Sequence, residues 1–361
     1  MAFLGRRAAP AARAAGIGVL LAAVLAGAAC TGPNPPPPVP APAPSGSPAP
    51  APSGSPGPTP SPAPTGTPPP AAGTLGVQGS YLVGHRQLVL TEPPHDGPAG
   101  ARLGPRRLVT LIRYPLARPP AAGHPARGPF PLLVFAPGFM QCAAPYAPLL
   151  RAWASAGYVV AAVKFPRTDC RTGTAAYEPD VVNQPADMSY VITRLLALSG
   201  RTHGLLAGLL DPREVAVAGH SDGADTVASL AANACCADHR LTAAAVMAGA
   251  EWPAMSALYF THRAPPMLLV QGSDDAFNPP SLSERLYRAD PARSRFYLYL
   301  PGATHTGPSM GSSPVERLVA RVTLAFFNRF VLRHPGAAAA MARTGNVPGR
   351  ARLVSAGQPP P

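Results

Sequence analysis

The sequence is poor in charged residues, in aromatic residues and in lysine. Charged residues make up 13% of its 361 residues, aromatic residues make up 6%, and Lys164 is the single lysine. After residue 30 no uninterrupted apolar run reaches 18 residues, which excludes a polytopic membrane protein. No Gly-X-Y period is present, which excludes collagen. Because 47% of the residues are apolar, wholesale disorder is excluded too, and a folded domain is expected.

Basic residues outnumber acidic ones, and the formal net charge is +13. The arginines are scattered and form no stripe interleaved with aromatic residues, so the pattern does not indicate a nucleic-acid partner. Solubility, or attraction to an anionic surface, explains the excess charge better. No C-x-x-C spacing occurs, so we expect no metal site. No motif indicates a nucleotide, flavin or other cofactor.

The first 30 residues have the features of an export signal. Three arginines within the first 13 residues precede an apolar stretch of small residues, 14–29. Two endings compete. Residues 26–28 (Ala-Gly-Ala) form a cleavage site, whereas 25–30 resembles a bacterial lipobox in which Cys30 would be lipidated, although Gly27 stands where an aliphatic residue is usual. We expect an exported protein that is tethered to a membrane through Cys30 or secreted, and the tether is favoured.

Residues 31–72 consist mainly of Pro, Ala, Ser, Gly and Thr and carry no charge. Such a segment cannot bury a core, and its proline density favours polyproline II, so we expect a semi-rigid spacer. At ~3.1 Å per residue it could reach roughly 120 Å. The folded domain is expected at 73–335. The segment 336–361, rich in Ala, Gly and Pro, is expected to be a flexible tail.

Four cysteines follow the signal: Cys142, Cys170, Cys235 and Cys236. An even number in an exported protein suggests disulfide bonds. Adjacent cysteines rarely bond each other, so a bond between Cys235 and Cys236 is not expected. Two arrangements stay open: two bonds that join 142 and 170 to 235 and 236, or one bond between Cys142 and Cys170.

Apolar strand patterns alternate with helical patterns along the expected domain. The predicted strands are 81–90, 107–114, 132–135, 158–163, 215–218, 243–247, 267–270 and 296–300, of which the first two have the alternation of antiparallel edge strands. The predicted helices are 146–156, 185–198, 315–331 and one that ends near residue 233. Continuous apolar strands between helices predict an α/β fold with a mostly parallel sheet that is covered on both faces.

The pattern Gly219-x-Ser221-x-Gly223 lies between a predicted strand and a predicted helix, which is typical of a nucleophile elbow. The turn is tight enough to strain the serine backbone, and the glycines remove side chains that would collide. The hydroxyl then stands at the head of a helix, whose positive end favours an anion. Ser221 is therefore the predicted nucleophile, and its alternative is an ordinary turn serine.

A serine nucleophile needs a general base and an acid that orients it. His305 follows the strand 296–300, at the sheet edge that also carries the elbow, and is the predicted base. Three other histidines also follow the elbow. His239 lies just past the elbow helix, at the wrong end of the sheet, and His334 ends the last predicted helix. His262 is most simply a surface or loop residue.

The acid should precede the histidine and follow the preceding strand. Asp274 and Asp275 both lie in the turn after the strand 267–270, and either could serve; the spacing in related sequences favours Asp275, which is the predicted acid. Asp274 and Glu251 are the alternative acids. If they are not catalytic, Asp274 is an acceptor in a turn and Glu251 is a rim residue.

The oxyanion of the tetrahedral intermediate requires backbone N–H donors. One is expected from Asp222, the residue after the nucleophile, and the other from Phe139, in the loop after the strand 132–135. A carboxylate at Asp222 would repel an oxyanion, so that side chain should turn away, toward an arginine or the N–H groups of its own helix.

Taken together, these residues resemble the α/β-hydrolase superfamily, in particular the branch of platelet-activating-factor acetylhydrolases, dienelactone-hydrolase-like proteins, chlorophyllases and cutinase-like polyester hydrolases. The resemblance implies a triad of Ser221, His305 and Asp275, with Phe139 and Trp252 as walls of the acyl site. Asp222, Ala224 and the extra cysteines depart from the pattern. The matching stretches are 108–115, 133–139, 154–160, 184–187, 219–223, 272–275 and 302–305.

Some members of this fold insert a cap domain between the strands that here end near 247 and begin near 267. Only about 19 residues separate them, which is too few for a cap. We therefore expect an open groove that suits bulky or surface-bound esters.

The expected function is that of an exported serine hydrolase that cleaves carboxylic esters, lipid or polymeric ones included, through an acyl-enzyme. One alternative is an amidase or acyltransferase with the same triad. The other is a non-catalytic binding protein of the cell envelope on a hydrolase scaffold, whose mark would be a broken triad. The sequence does not indicate an oligomeric state.

Overall fold

The computed structural model describes residues 75–98, 100–117, 123–252 and 258–361. The expected export signal, with Cys30, and the expected spacer 31–72 lie outside these residues. Within the described ranges, no helix has both the length and the apolar character needed to cross a membrane.

Strands and helices alternate along the described chain. The strands are β1 (Leu82–Glu92), β2 (His95–Asp96), β3 (Arg102–Leu103), β4 (Arg106–Leu116), β5 (Phe130–Ala136), β6 (Val159–Lys164), β7 (Leu210–His220), β8 (Leu241–Met247), β9 (Met267–Gly272), β10 (Arg295–Leu300) and β11 (Arg352–Ser355). The helices are α1 (Ala147–Ser155), α2 (Gln184–Ser199), α3 (Asp222–Ala232), α4 (Pro280–Ala289), α5 (Pro314–Phe330) and α6 (Ala337–Gly345).

Nine of these strands form one sheet in the order β1-β4-β6-β5-β7-β8-β9-β10-β11, and β2 pairs with β3 separately. The pairs from β6 across to β10 are parallel, whereas β1, β4 and β11 pair antiparallel to their neighbours. The predicted α/β fold with a mostly parallel sheet is thus confirmed. The edge at which the parallel strands end is called the carboxyl edge below, and the opposite one the amino edge.

Alternation along the central strands places side chains on two cores, one on each face. In β5, Leu132 and Val134 pack with residues of α2 and α3, whereas Leu133 and Phe135 pack with residues of α1 and α5. All four are fully buried, which explains why the sequence shows a continuous apolar run there.

The prediction of a flexible tail is wrong. β11 pairs antiparallel with β10, with Phe296 opposite Ser355, and Met341 of α6 is buried. Although the segment is rich in Ala, Gly and Pro, it contains short apolar stretches that cover the otherwise open edge at β10.

The expectation that Cys235 and Cys236 do not bond each other is also wrong. They form a disulfide in the turn that follows α3, and Cys142 pairs with Cys170 as in the second of the expected arrangements. Since α3 runs from the carboxyl edge toward the amino edge, its end lies too far from the loops of Cys142 and Cys170 for cross-pairing.

Candidate active site

Ser221 lies in a strained turn between β7 and α3, with φ of 55°. A side chain at Gly219 would overlap the backbone of Gly223, and one at Gly223 would overlap the carbonyl of Ala136. The N–H of Ser221 donates to the carbonyl of Met247 at 3.0 Å, which fixes the turn against β8. The glycines are therefore required by close approach of the backbone, and the half-buried serine stays accessible.

His305 and Asp275 meet at the carboxyl edge. The Nδ1 atom of His305 is 2.9 Å from one carboxylate oxygen of Asp275 and 3.0 Å from the other. The buried carboxylate also accepts the N–H groups of Phe277 and Asn278 and the side-chain amide of Gln271. These donors offset the cost of burying a charge and fix the orientation of the imidazole.

The alternative acids do not reach this histidine. Asp274 is exposed and accepts from its neighbour Ser273 at 2.7 Å. Glu251 is half-buried, and within the described residues it makes no hydrogen bond to His305.

The other candidate histidines lie elsewhere. His239 and His262 stack edge to face at 5.7 Å near the amino edge, and His334 is exposed beyond α5. Of the candidates, the structure therefore brings together Asp275 and His305.

His220 connects the elbow to the histidine loop. Its ring centroid lies 4.7 Å from that of His305, and its Nε2 donates to the carbonyl oxygen of His305 at 2.9 Å. Within the described part of the chain, no hydrogen bond joins Ser221 Oγ to the His305 ring. Such bonds are often long in ligand-free enzymes and tighten when substrate binds.

The loop after β5 crosses directly over the elbow. A Cβ atom on Gly138 would stand 3.1 Å from the Cβ of Ser221. The N–H of Gly138 donates to the Tyr146 hydroxyl at 3.1 Å, and that of Met140 donates to the Thr168 carbonyl at 2.8 Å. Between them, the N–H of Phe139 has no acceptor among the described residues, so it can serve a ligand.

The second expected donor, the N–H of Asp222, belongs to the first turn of α3, where amides have no acceptor within the helix. Its side chain is buried, and one carboxyl oxygen lacks a partner in the described ranges. Burial, aided by the nearby Glu178, raises the pKa of Asp222 to about 7, while its own backbone N–H opposes the rise. No arginine pairs with it in those ranges, so the expected arginine partner is not found.

The loop after β5, called the oxyanion loop below because Phe139 is its expected donor, is held by the Cys142–Cys170 bond, one of the two expected arrangements, and by hydrogen bonds that sequence reasoning missed. Cys142, three residues after Phe139, is bonded to Cys170, with their Cα atoms 5.1 Å apart. The Thr168 hydroxyl accepts from Gln184 of α2, which in turn accepts from Thr226 of α3, both at 2.8 Å. The loop is thereby connected to the helix that begins at the nucleophile.

A buried cluster of ion pairs lies on the side of the site that carries Asp222. Arg106 donates to Asp187 at 2.6 and 2.7 Å and to Asp180 at 2.7 and 3.0 Å. Asp180 belongs to the short helical turn Glu178–Asn183, so the cluster fixes the turn that carries Glu178 near Asp222. The chain separations of 74 and 81 residues explain why no local sequence pattern indicated it.

One aromatic ring lies directly beside the Asp275–His305 pair, and the two expected wall residues are half-buried. Phe139 and Trp252, the expected walls, are both half-buried, and the N–H of Trp252 approaches the Tyr259 hydroxyl at 3.4 Å. Phe277, which sequence reasoning missed, is 80% exposed, and its ring lies 5.2 Å from that of His305. A phenylalanine two residues after a predicted catalytic acid is the signal that could have found it.

Potential metal ligands come together in the described ranges at Cys142, Asp169 and Cys170. Both sulfur atoms are engaged in a disulfide, however, so they are not available as thiolate ligands.

No protein-family model and no curated protein matches the sequence. The resemblance to α/β hydrolases is therefore supported at the level of an α/β fold with a large, mostly parallel sheet. Any functional assignment depends on the geometry around Ser221, Asp275 and His305.

Proposed function

We propose that this chain is a serine hydrolase of the α/β-hydrolase type that cleaves carboxylic esters through an acyl-enzyme. The observation that carries the proposal is the Asp275–His305 pair, 2.9 Å apart, on the sheet edge where Ser221 occupies a strained elbow. A buried carboxylate on Nδ1 of a histidine leaves Nε2 as the proton acceptor, which is the arrangement that activates a serine.

In the first step, Ser221 Oγ attacks the ester carbonyl while Nε2 of His305 takes the hydroxyl proton. Asp275 holds Nδ1–H and stabilises the imidazolium that forms. The N–H groups of Phe139 and Asp222 donate hydrogen bonds to the oxyanion, and loss of one such donor costs ~3 kcal/mol of transition-state stabilisation.

Collapse of the tetrahedral intermediate breaks the ester C–O bond, and the leaving alcohol takes the proton from His305. Water then attacks the acyl-enzyme, with His305 again as the base. The acid product leaves, and the proton returns to Ser221.

The surroundings of the site favour a bulky or surface-bound ester, such as a lipid or a polymer. Ser221 is only half-buried, Phe277 is strongly exposed beside His305, and 19 residues lie between β8 and β9. In our proposal these features form an open groove without a cap domain.

We further propose that the protein acts outside the cytoplasm, tethered to the envelope through Cys30 or secreted. The disulfides Cys142–Cys170 and Cys235–Cys236 support an oxidising compartment.

The test is hydrolysis of p-nitrophenyl butyrate by the purified full-length chain and by its Ser221→Ala variant. We expect turnover by the wild-type chain and a loss of about 10⁴-fold or more in the variant. Ser283→Ala, which removes a buried hydroxyl of α4 that contacts Tyr297 of β10, is the matched control and should keep its activity. Turnover of the matching anilide instead would favour an amidase, and turnover of neither would favour a binding protein.

A further inference from the structure

Two buried polar side chains, Tyr146 and His220, lie between the loops that the proposed mechanism uses. Tyr146 directly precedes α1 and is 0% exposed, and His220 ends β7 and is 1% exposed. Tyr146 OH is 2.9 Å from His220 Nδ1. Neither has a role in the proton transfers described above, yet burying two polar groups is costly unless they are fully paired.

The donors and acceptors around this pair allow one arrangement in which all are satisfied. The carbonyl oxygen of His305 can only accept, so Nε2 of His220 carries the proton. Nδ1 of a neutral ring is then an acceptor, and the Tyr146 hydroxyl donates to it. The hydroxyl oxygen in turn accepts from the N–H of Gly138.

The arrangement requires a neutral His220. On a charged ring, a second N–H would face Tyr146, and the hydroxyl hydrogen would lose its acceptor. Burial lowers the pKa of His220 to about 4, an effect that the carbonyl of His305 opposes. The ring is therefore neutral at neutral pH.

The chain of hydrogen bonds joins three segments of the site. It begins at Gly138, next to Phe139, whose N–H has no acceptor in the described ranges. It then passes through Tyr146 and His220 and ends on the backbone of His305. β8 and β9 lie between β7 and β10 in the sheet, so the histidine loop must reach back across two strands to the elbow.

We propose that His220, supported by Tyr146, is a positioning residue that sets the distance from the oxyanion loop to His305; the inference rests on the proposed function. Asp275 fixes the imidazole at Nδ1, and His220 fixes the main chain that carries it. Without the second attachment, the ring can shift relative to Ser221, and a displacement of ~1 Å can cost about 100-fold in rate.

The two nitrogen atoms of His220 can be tested separately. His220→Gln keeps an N–H group near the place of Nε2, where it can donate to the His305 carbonyl. His220→Asn keeps an acceptor near the place of Nδ1, for Tyr146. His220→Leu removes both functions, and Tyr146→Phe removes the hydroxyl alone.

We expect His220→Leu and His220→Asn to lower kcat for p-nitrophenyl butyrate by about 100-fold with little change in KM, whereas His220→Gln should lose less than about tenfold. Tyr146→Phe should lose about tenfold. His262→Leu at the amino edge and Tyr297→Phe, whose buried hydroxyl contacts Ser283 at 3.0 Å, are matched controls that should keep kcat.

The proposal is overturned if His220→Leu folds normally, by its urea midpoint, and keeps kcat within about twofold. It is also overturned if Gln is no better than Asn, a comparison that remains informative if the leucine variant does not fold. These failures differ from failure of the proposed function, in which the wild-type chain itself would not hydrolyse the ester.

Discussion

The two edges of the sheet are held together in different ways. At the carboxyl edge, Arg106 reaches acids 74 and 81 residues away, and the disulfide spans 28 residues. Near the amino edge, the ion pairs of Arg213 and Arg240 are with acids two residues away, and the disulfide joins neighbours, although Arg240 also donates to Ser189 and Thr193 of α2. A disulfide or ion pair between distant segments fixes loops relative to one another, whereas one between near neighbours fixes mainly a turn. The ion pairs and disulfides therefore distinguish the edge at which side chains must be positioned.

Cavity volume alone would place the functional site at the amino edge instead. A cavity of about 830 Å³ lies at the amino edge, where its lining includes His239 and His262 and three arginines, Arg263, Arg293 and Arg333. The Asp275–His305 pair lies at the carboxyl edge, where ligands of parallel α/β sheets generally bind. The comparison shows that placement at strand ends and pairing of side chains, rather than space, identify the candidate site.

The largest effect is expected for Asp275→Asn. The amide would favour the wrong tautomer of His305, and kcat should fall by about 10⁴-fold. Its neighbour Asp274 is exposed, and its carboxylate accepts from the adjacent Ser273, so Asp274→Asn should change kcat little. Steady-state hydrolysis of p-nitrophenyl butyrate measures both, and equal losses would remove the distinction between the two acids.

A large loss of stability is expected for Arg106→Met. Removing the guanidinium leaves Asp180 and Asp187 buried without their partner, which should lower the free energy of unfolding by about 3–5 kcal/mol. The corresponding change near the amino edge, Arg213→Met, removes an exposed guanidinium from a half-solvated pair and should have a much smaller effect. Urea denaturation compares them, and a similar midpoint shift in both variants would contradict the difference between the edges.

Of the two disulfides, the one at the carboxyl edge should again contribute more to stability and to kcat. Replacing Cys142 and Cys170 by serine releases a loop of 28 residues and should lower the free energy of unfolding by about 3–4 kcal/mol. It should also lower kcat, because the oxyanion loop loses an anchor. Replacing Cys235 and Cys236 by serine opens no chain loop and should change both quantities little. Denaturation and ester hydrolysis measure the effects, and the reverse order would show that the vicinal bond is the structural one.

Controls aside, the smallest expected change in stability is that of Asp222→Asn. Burial raises the pKa of Asp222 from 3.8 to about 7, so the folded state incurs a charge penalty that is absent below about pH 4 and complete above about pH 7. The asparagine variant should therefore be more stable than wild type by ~1–2 kcal/mol at pH 8, after the cost of burying an amide, and gain nothing at pH 5.

For Asp238, near the amino edge, replacement by asparagine should change stability in the opposite direction. Burial acts to raise its pKa, but hydrogen bonds from Arg240 outweigh burial, and the pKa is lowered. Asp238→Asn should therefore destabilise the protein at pH 8, and the loss should shrink as the pH falls below the usual pKa of the carboxyl. Thermal unfolding at both pH values tests the pair, and the same sign for both variants would be inconsistent with these environments.

The features that the sequence predicted are those with a local pattern. The turn around Ser221 requires glycines at fixed positions, and Asp275 and His305 each follow an apolar strand directly, so topology places them at one edge. The central strands were predicted because burial on both faces makes their sequences continuously apolar.

The features that were missed depend on partners distant in sequence or on weak composition. Tyr146 and His220 are 74 residues apart, and nothing near either residue indicates the contact. β11 has four residues within a segment of Ala, Gly and Pro, so only the open edge of β10 explains its pairing. The vicinal disulfide could not be predicted, since its formation depends on how the chain turns after α3.

The most direct test of the central claim is to treat the full-length chain with a fluorophosphonate and to map the adduct by mass spectrometry. The account predicts one adduct per chain, on Ser221, with labelling and ester hydrolysis lost together as the adduct forms. An unlabelled Ser221 in a chain that still hydrolyses the ester, or an adduct on another residue that accounts for the lost activity, would contradict it.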